Sequence, residues 1–423
     1  MKQRSFLSTS ASPDRAYLRN YSAEMGADKR MPQKRNVTSS KQKFSKKMKL
    51  FAVGMGIDMP FLLIVLVLLA IGILMMFSAS YPIALAETGN SYYYLGRQLL
   101  FACIGIAFMA LASFFNYHWF YRLAYIIGGV AVVLLVVVLF MPSSTGIQRW
   151  IDLGIVDLQP SEIAKFAVIV FFAYWGTRYA DKMKYIKYSL FPGLAVFVGV
   201  SLLLFLEPHY SCIVIIFCLI LFMLWLSGMS IKYFAVVIGV AVLAFVIGKA
   251  TGLLGYAMER MDGWGLALSC SPDDYDMWWS TWQTRNSLFA IGSGGITGLG
   301  LGNSRQKYLY LPEPQNDFIF AIVCEELGLI GAILILALFG LLVWRGIYIS
   351  QRSGDTFGKL LGCGLSAQIG LQVVLNILVI TDWLPNTGIS LPFFSYGGSS
   401  LVMLLTQMGI ILSVSRTSKI EKV

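Results

Sequence analysis

The chain has 423 residues, of which 57% are hydrophobic and only 13% charged, and it carries a formal net charge of +11. Apolar runs recur from Pro60 to the C-terminus, which excludes a soluble globular enzyme and predicts an all-α polytopic membrane protein with one integral domain. Residues 1–50 hold thirteen Lys/Arg against three Asp/Glu, a net +10 and nearly the whole excess.

That basic segment has no apolar periodicity and is rich in Ser, Lys and Gln, so residues 1–50 are expected to be a disordered cytoplasmic tail. Lys41 to Lys49 directly precede the first apolar run, which favours anionic lipid over nucleic acid as the tail's neighbour. The tail is too long for the basic region of a cleavable signal peptide. Residues 51–423 are read as the transmembrane domain. Ten spans are predicted: about 60–79, 98–115, 121–141, 162–176, 190–206, 210–228, 232–248, 318–344, 358–380 and 394–414. With the tail inside, the even-numbered connections are cytoplasmic and carry Arg122, Arg178, Lys182, Lys184, Lys187, Lys232, Arg345, Arg352 and Lys359. Both termini are then cytoplasmic, and one long extracytoplasmic loop, 249–316, joins the seventh and eighth spans. Six cysteines supply neither a disulfide framework nor a zinc spacing, because five sit in apolar runs and Cys270 stands alone in the long loop.

Three segments carry chemistry-bearing residues at helix entrances. RWIDLGIVDLQPSEIAK, Arg149 to Lys165, enters the fourth span with Glu162 and Lys165 three apart on one helix face and Ser161 as the expected N-cap. Glu162 and Lys165 are either a mutually neutralising structural pair or a cation placed for a phosphate in the outer leaflet. LPEPQNDFIFAIVCEELG places Asp317 where a polar loop becomes an apolar span, either as a helix cap beside Asn316 or as a general base. In LPNTGISLPFFSYGGSS, the run Ser395 to Ser400 enters the last span, where small residues permit close helix packing or bare backbone N–H groups toward a cavity.

The cluster Gly292, Gly294, Gly295, Gly298, Gly300 and Gly302 lacks the Gly-Lys-Ser/Thr of a nucleotide loop and is read as a flexible loop whose amides can also form a pyrophosphate nest. His118 and His209 fall on opposite sides of the membrane, which rules out a histidine metal centre and a Ser/His/Asp triad.

Taken together, MMFSASYPIA with YYYLGRQLLF, RWIDLGIVDLQPSEIAKFA, LEPHYS, GSGGITGLGLGNSRQKYLYLPEPQNDFIFAIVCEELGLIG and LPNTGISLPFFSYGGSS resemble the SEDS family (shape, elongation, division and sporulation). These are membrane peptidoglycan glycosyltransferases that include FtsW, RodA and SpoVE, and the resemblance runs from about Asp58 to Arg416. LGNSRQKYLYLPEP looks more like the FtsW-like division and sporulation branch than the RodA branch. Two departures stand out: Gln315 and Asn316 where the family usually has His-Thr, and His209 where it commonly has Asp after Glu-Pro.

The resemblance implies that Asp317 is the catalytic acid/base and that Glu162 and Lys165 line the same outward cavity. Arg97, Gln98, Ser395, Gly398 and Ser399 match family motif positions and are expected at the substrate. It implies lipid II, a disaccharide-pentapeptide on undecaprenyl pyrophosphate, as substrate, and a class B penicillin-binding protein transpeptidase and other divisome proteins as partners, at a bacterial plasma membrane. Asp317 would deprotonate the acceptor 4-hydroxyl while Lys165, Arg149, Arg305 or Lys307, with or without a divalent cation (Mg or Mn), offsets the leaving pyrophosphate. No other cofactor is expected. The competing expectation is a lipid II flippase, which ten spans with broken helices would also suit; SpoVE-like sporulation and RodA-like elongation polymerases are the alternatives within the family.

Overall fold

The computed structural model describes residues 56–141, 149–152, 154, 157–252, 255, 258, 261, 263–271 and 273–418. The expected basic tail, 1–50, lies outside the described residues. Among the described residues the molecule is an all-α polytopic membrane protein, its only strands being a two-residue antiparallel hairpin, β1 (Ile151–Asp152) and β2 (Asp157–Leu158), with Ile151 opposite Leu158. A helix stands at each of the ten predicted spans: α1 Met59–Thr88, α2 Tyr93–Phe114, α3 His118–Val138, α4 Pro160–Arg178, α5 Ile186–Leu206, α6 Tyr210–Leu226 and α7 Lys232–Ala250. After the long loop follow α10 Ile319–Gln351, α11 Thr356–Ile380 and α12 Gly398–Thr417. The loop itself contributes two short helices, α8 (Tyr275–Ser280) and α9 (Trp282–Ser293).

Eight of these helices are long and apolar enough to cross a membrane. The other two predicted spans fall short for physical reasons: α6 has only 17 residues, and α4 carries Glu162, Lys165 and Arg178. Local chemistry sets the ends. At the start of α1 the Asp58 side chain accepts from the Phe61 amide (3.0 Å) beside Pro60, and the helix stops at Gly89 in the left-handed region (φ 70°). Asp58 also receives Arg345 on both oxygens (3.1 and 2.8 Å), tying α1 to α10.

Burial ranks the helices. Within their most apolar stretches α11 and α12 are 67% and 72% buried in protein, whereas α7 is 6% buried, so α11 and α12 form the centre and α7 the periphery. Around that centre α12 packs on α2, α11 on α10 and α4, and α4 on α3 and α6.

One helix is broken. α10 turns out of helical geometry at Gly328 (φ 66°, ψ −170°), which strips its neighbours of their intrahelical hydrogen bonds. The glycine-rich loop replaces them: the Leu299 and Gly300 amides donate to the carbonyls of Glu325 (2.9 Å) and Glu326 (3.0 Å), and the Leu329 and Ile330 amides donate to Gly295 (3.0 Å) and Ile296 (3.2 Å). Backbone meets backbone so closely that a Cβ at Gly328 would stand 2.2 Å from the Gly298 nitrogen, and one at Gly298 would stand 2.2 Å from the Glu326 oxygen. The cluster expected to be flexible is therefore a fitted splice.

Side chains fasten the same junction. Glu325 and Glu326 are fully buried, and the Lys307 ammonium reaches Glu326 at 2.8 Å while donating to Ser78 (3.1 Å) and the Gly302 carbonyl (2.7 Å). Ser78 donates to Glu326 (2.7 Å), and Glu325 accepts from Ser304 Oγ (2.5 Å) and the Arg305 amide (2.9 Å). Every charge in the knot has a partner, as burial requires.

Two outcomes follow for purified protein in detergent, read by thermal melting. Gly328→Ala meets backbone in a left-handed conformation and is expected to cost more than the ~1–3 kcal/mol of an ordinary strained residue, whereas Gly292→Ala, with nothing within 4 Å of its new methyl, melts with the wild type. Glu326→Ala strands the Lys307 ammonium and should destabilise by roughly 3–5 kcal/mol, with most of that recovered in Glu326→Leu/Lys307→Met; equal melting of single and double variants would contradict the buried pair.

Candidate active site

Six of the nine predicted site residues line one cavity of about 540 Å³: Asp317, Glu162, Lys165, Arg97, Arg149 and Gly398. It lies where the entrance of α4, the first turns of α2 and α12, and the loop before α10 converge, and it reaches the surface past the exposed Trp150 and Glu313.

α4 begins with Pro160 in its first turn, preset for helical geometry, so the N-cap falls on Gln159 rather than on the expected Ser161. Three residues of helix then bring the Lys165 ammonium onto Glu162 Oε1 at 2.7 Å, with both side chains buried. Opposite, the half-buried Asp317 stands one residue before Phe318, which occupies the N-cap of α10 and makes no side-chain cap. The capping expectation for Asn316 and Asp317 is thus displaced by one residue. The Asp317 main chain is held rigidly. Asn376 on α11 donates one amide to the Asp317 carbonyl (2.8 Å) and to the Ile389 carbonyl (2.6 Å), and the Tyr396 amide donates to the Gln315 carbonyl (2.8 Å).

Gln98, Ser395 and Ser399, expected at the substrate, stand behind the wall of this cavity and shape it. Ser395 Oγ donates to the Asn316 carbonyl (2.6 Å) and accepts from the Leu391 amide (2.7 Å); Gln98 brackets the same loop through the Ser395 carbonyl and the Gly397 amide (both 3.4 Å). Ser399 Oγ accepts from the Gln159 amide (3.2 Å), joining the last helix to the entrance of α4, and Ser400 takes the place on the wall. Their contacts are spent on protein because these two loops must be fixed against each other.

The cations divide differently from expectation. Arg149 is held on the turn between α5 and α6, donating to the carbonyls of Pro208 and Glu207. Neither Arg305 nor Lys307 is among the lining residues, and Lys307 is bound to Glu326. The amides of Leu299 and Gly300 are likewise occupied by α10, which withdraws them from a pyrophosphate nest. Beside Arg149, the Glu207 side chain is buried with no hydrogen-bond partner on either oxygen, and burial, only partly opposed by the Arg149 charge, pushes its carboxyl up to about 8. Burial also raises the Tyr396 phenol, against a hydrogen bond from Arg97.

Sequence reasoning missed the polar stripe of α11. Gln368, Gln372 and Asn376 recur every fourth residue inside an apolar helix and are all buried, a legible signal of a face turned toward polar company. Gln372 lines the cavity, as do Asp157, His209 and Tyr396. Among the described residues no three His, Cys, Asp or Glu side chains converge tightly enough to hold a metal by themselves.

The profile described as Cell cycle protein, for FtsW, RodA and SpoVE, matches residues 59–420. The probable peptidoglycan glycosyltransferase FtsW of Hahella chejuensis is 36% identical over 373 residues, covering 85% of this chain and 90% of that protein. Stage V sporulation protein E of Bacillus subtilis is 37% identical over 366 residues, covering 86% and 98%. Among solved structures, a chain of a peptidoglycan synthase complex studied for its coordination of polymerization and crosslinking has a TM-score of 0.66 at 24% identity, covering 86% of this chain and 98% of its own. The rod shape determining protein RodA of Thermus thermophilus has a TM-score of 0.62 at 23% identity, covering 87% and 99%; at these identities the likeness is one of fold. Motifs, fold and relatives agree that the chain belongs to the FtsW/RodA/SpoVE family.

Proposed function

We propose that this protein is a peptidoglycan glycosyltransferase that polymerises lipid II at the outer face of the bacterial plasma membrane during cell division, with Asp317 as general base. One observation carries the reading: a half-buried carboxylate, Asp317, shares a single cavity with the buried Glu162–Lys165 pair and with Arg97 and Arg149. Relatives named peptidoglycan glycosyltransferase FtsW support the reaction class, and the match to a sporulation protein supports the same branch. The concentration of Lys/Arg in residues 1–50 supports cytoplasmic termini, which puts the cavity outside.

In this mechanism the Asp317 carboxylate takes the proton of the acceptor 4-hydroxyl as its oxygen bonds to the donor's anomeric carbon with inversion. The bond from that carbon to the pyrophosphate oxygen breaks, and the leaving charge moves toward Lys165, Arg149 and Arg97. Lys165 starts from Glu162, so the pair holds the ammonium in place without a substrate. Burial raises the Glu207 carboxyl to about 8, which weakens its cancellation of Arg149, and the cavity keeps more of that cation's field. A divalent cation bound here would be held by wall carboxylates such as Asp157 and Asp317 and would supply further positive charge against the leaving pyrophosphate. The solved synthase complex supports a transpeptidase partner, the class B penicillin-binding protein, that crosslinks the new strand.

Three measurements test this. Purified protein with its transpeptidase partner and labelled lipid II should make long glycan; Asp317→Ala should make none while still folding and binding its partner, and full-length product from that variant would overturn the assignment. A flippase would instead move lipid II across vesicles without polymer. In the same assay Lys165→Ala should slow polymerisation by roughly 10²-fold, the usual effect of losing one donor to a developing charge. The third concerns pH: because the folded protein keeps the Glu207 proton up to about 8 while the ordinary carboxyl releases it near 4.5, folding loses stability as pH rises between those values. The melting temperature of Glu207→Gln should therefore gain on the wild type from pH 5 to pH 8, and parallel curves would refute a neutral Glu207.

A further inference from the structure

Beyond Glu162 the cavity continues into a second, smaller space of about 20 Å³ that shares Glu162, Gln372, Ser390 and Ser400 with the first. It runs deeper into the bundle, since its other polar walls are Ser395, Gln368, one turn beyond Gln372 on α11, and Gln407, more than two turns down α12. Both glutamines are 1% exposed, and neither amide oxygen has a hydrogen-bond partner in the protein. A buried amide oxygen without a donor is costly, and two of them facing one space point to a donor that the protein itself does not supply. Nor is the carboxylate complete, because Lys165 binds Oε1 and leaves Oε2 for another donor.

The pocket's size and charge limit what fits. About 20 Å³ exceeds the ~10–15 Å³ that one water needs, and is too small for a sugar ring or a phosphate group. A cation would add charge beside a carboxylate that Lys165 has already neutralised, and an anion would face that carboxylate directly. A neutral molecule that both donates and accepts suits Gln368, Gln407, Glu162 and the hydroxyl of Ser400 together.

We propose that this pocket is a built water site, and that water held by Gln368 and Gln407 donates to Glu162 and keeps the Glu162–Lys165 pair oriented in the cavity. Gln368 and Gln407 are then positioning residues that act through Glu162 without touching substrate. The hydration itself is independent of the reaction assigned above; the positioning role rests on that reading.

Radiolytic hydroxyl-radical labelling of the full-length protein in nanodiscs, read by mass spectrometry, tests the water directly. Water in the pocket should label Phe393 and Leu404, which line it yet are only 2% and 8% exposed, well above Ile410 and Ile411, buried in the same helix as Leu404 at 1% and 0%. In Gln368→Leu/Gln407→Leu that labelling should fall to the level of those isoleucines, while Gln407→Asn retains it. Wild-type labelling of Phe393 and Leu404 no higher than that of Ile410 overturns the proposal without reference to any variant's folding. In the lipid II assay the double leucine variant should lose about tenfold in turnover with the apparent KM little changed, the scale of one hydrogen bond to a charged group, and Gln407→Asn should recover most of it. Unchanged turnover in a variant that has lost its labelling overturns the positioning role alone. Full activity in Asp317→Ala would sink the reaction assignment and leave the labelling result standing.

Discussion

A backbone group without a hydrogen bond is most costly where no water can reach it, and the break in α10 at Gly328 creates several. The rest of the outer structure is arranged around meeting that demand. The glycine loop has no side chains at Gly294 and Gly298 because any would prevent its amides from reaching the carbonyls of α10. The knot of Glu325, Glu326, Lys307, Ser304 and Ser78 then locks the loop to α1 and α10. With both ends of the break secured, the short stretch from Ile319 to Leu327 becomes a stable platform, and Asp317 stands immediately before it.

The same constraint explains how a carboxylate and several cations coexist at a helix boundary. Each is either matched, as Glu162 by Lys165, or shifted toward its protonated form by burial, as Glu207, or seated beside fixed carbonyls, as Arg149. Loops that enter the bundle are held by buried amides and hydroxyls: Asn376 under Asp317, Ser395 under Asn316, Gln98 under Gly397. The cavity thus sets a few charged groups on a larger set that holds them in position. Under the proposed function, substrate need not organise it on arrival, which is the condition for electrostatic preorganisation.

Much of this was legible before folding. Apolar length marked all ten helices, with ends off by only a few residues in most; the largest difference is α1, which ends at Thr88 rather than near 79 because the helix continues until Gly89 takes the left-handed cap. The spacing of Glu162 and Lys165 announced their pairing, since three residues of helix leave two side chains on one face whatever surrounds them. The stripe of Gln368, Gln372 and Asn376 could have been read by the same rule. By contrast, the three residues placed at the substrate by motif, Gln98 in α2, Ser395 in the loop before α12 and Ser399 in its first turn, stand beside the cavity with their polar atoms bonded to the protein. Which partner such a side chain meets depends on residues far away in sequence, as the 299 positions between Gln98 and Gly397 show.

By itself, then, the chain determined its membrane class, its helices, the family motifs and the local pairs, because hydrophobic length and helical spacing act over a few residues and need no knowledge of the rest. Tertiary structure alone decided that Lys307 is a fastener and Lys165 a lining cation, that a glycine run expected to be loose is a tight splice, and that the Glu207 carboxyl is raised by burial. Those outcomes depend on burial and on distant partners, since the same ammonium or carboxyl is a structural pin when enclosed with an opposite charge and a reactive group when it faces a cavity.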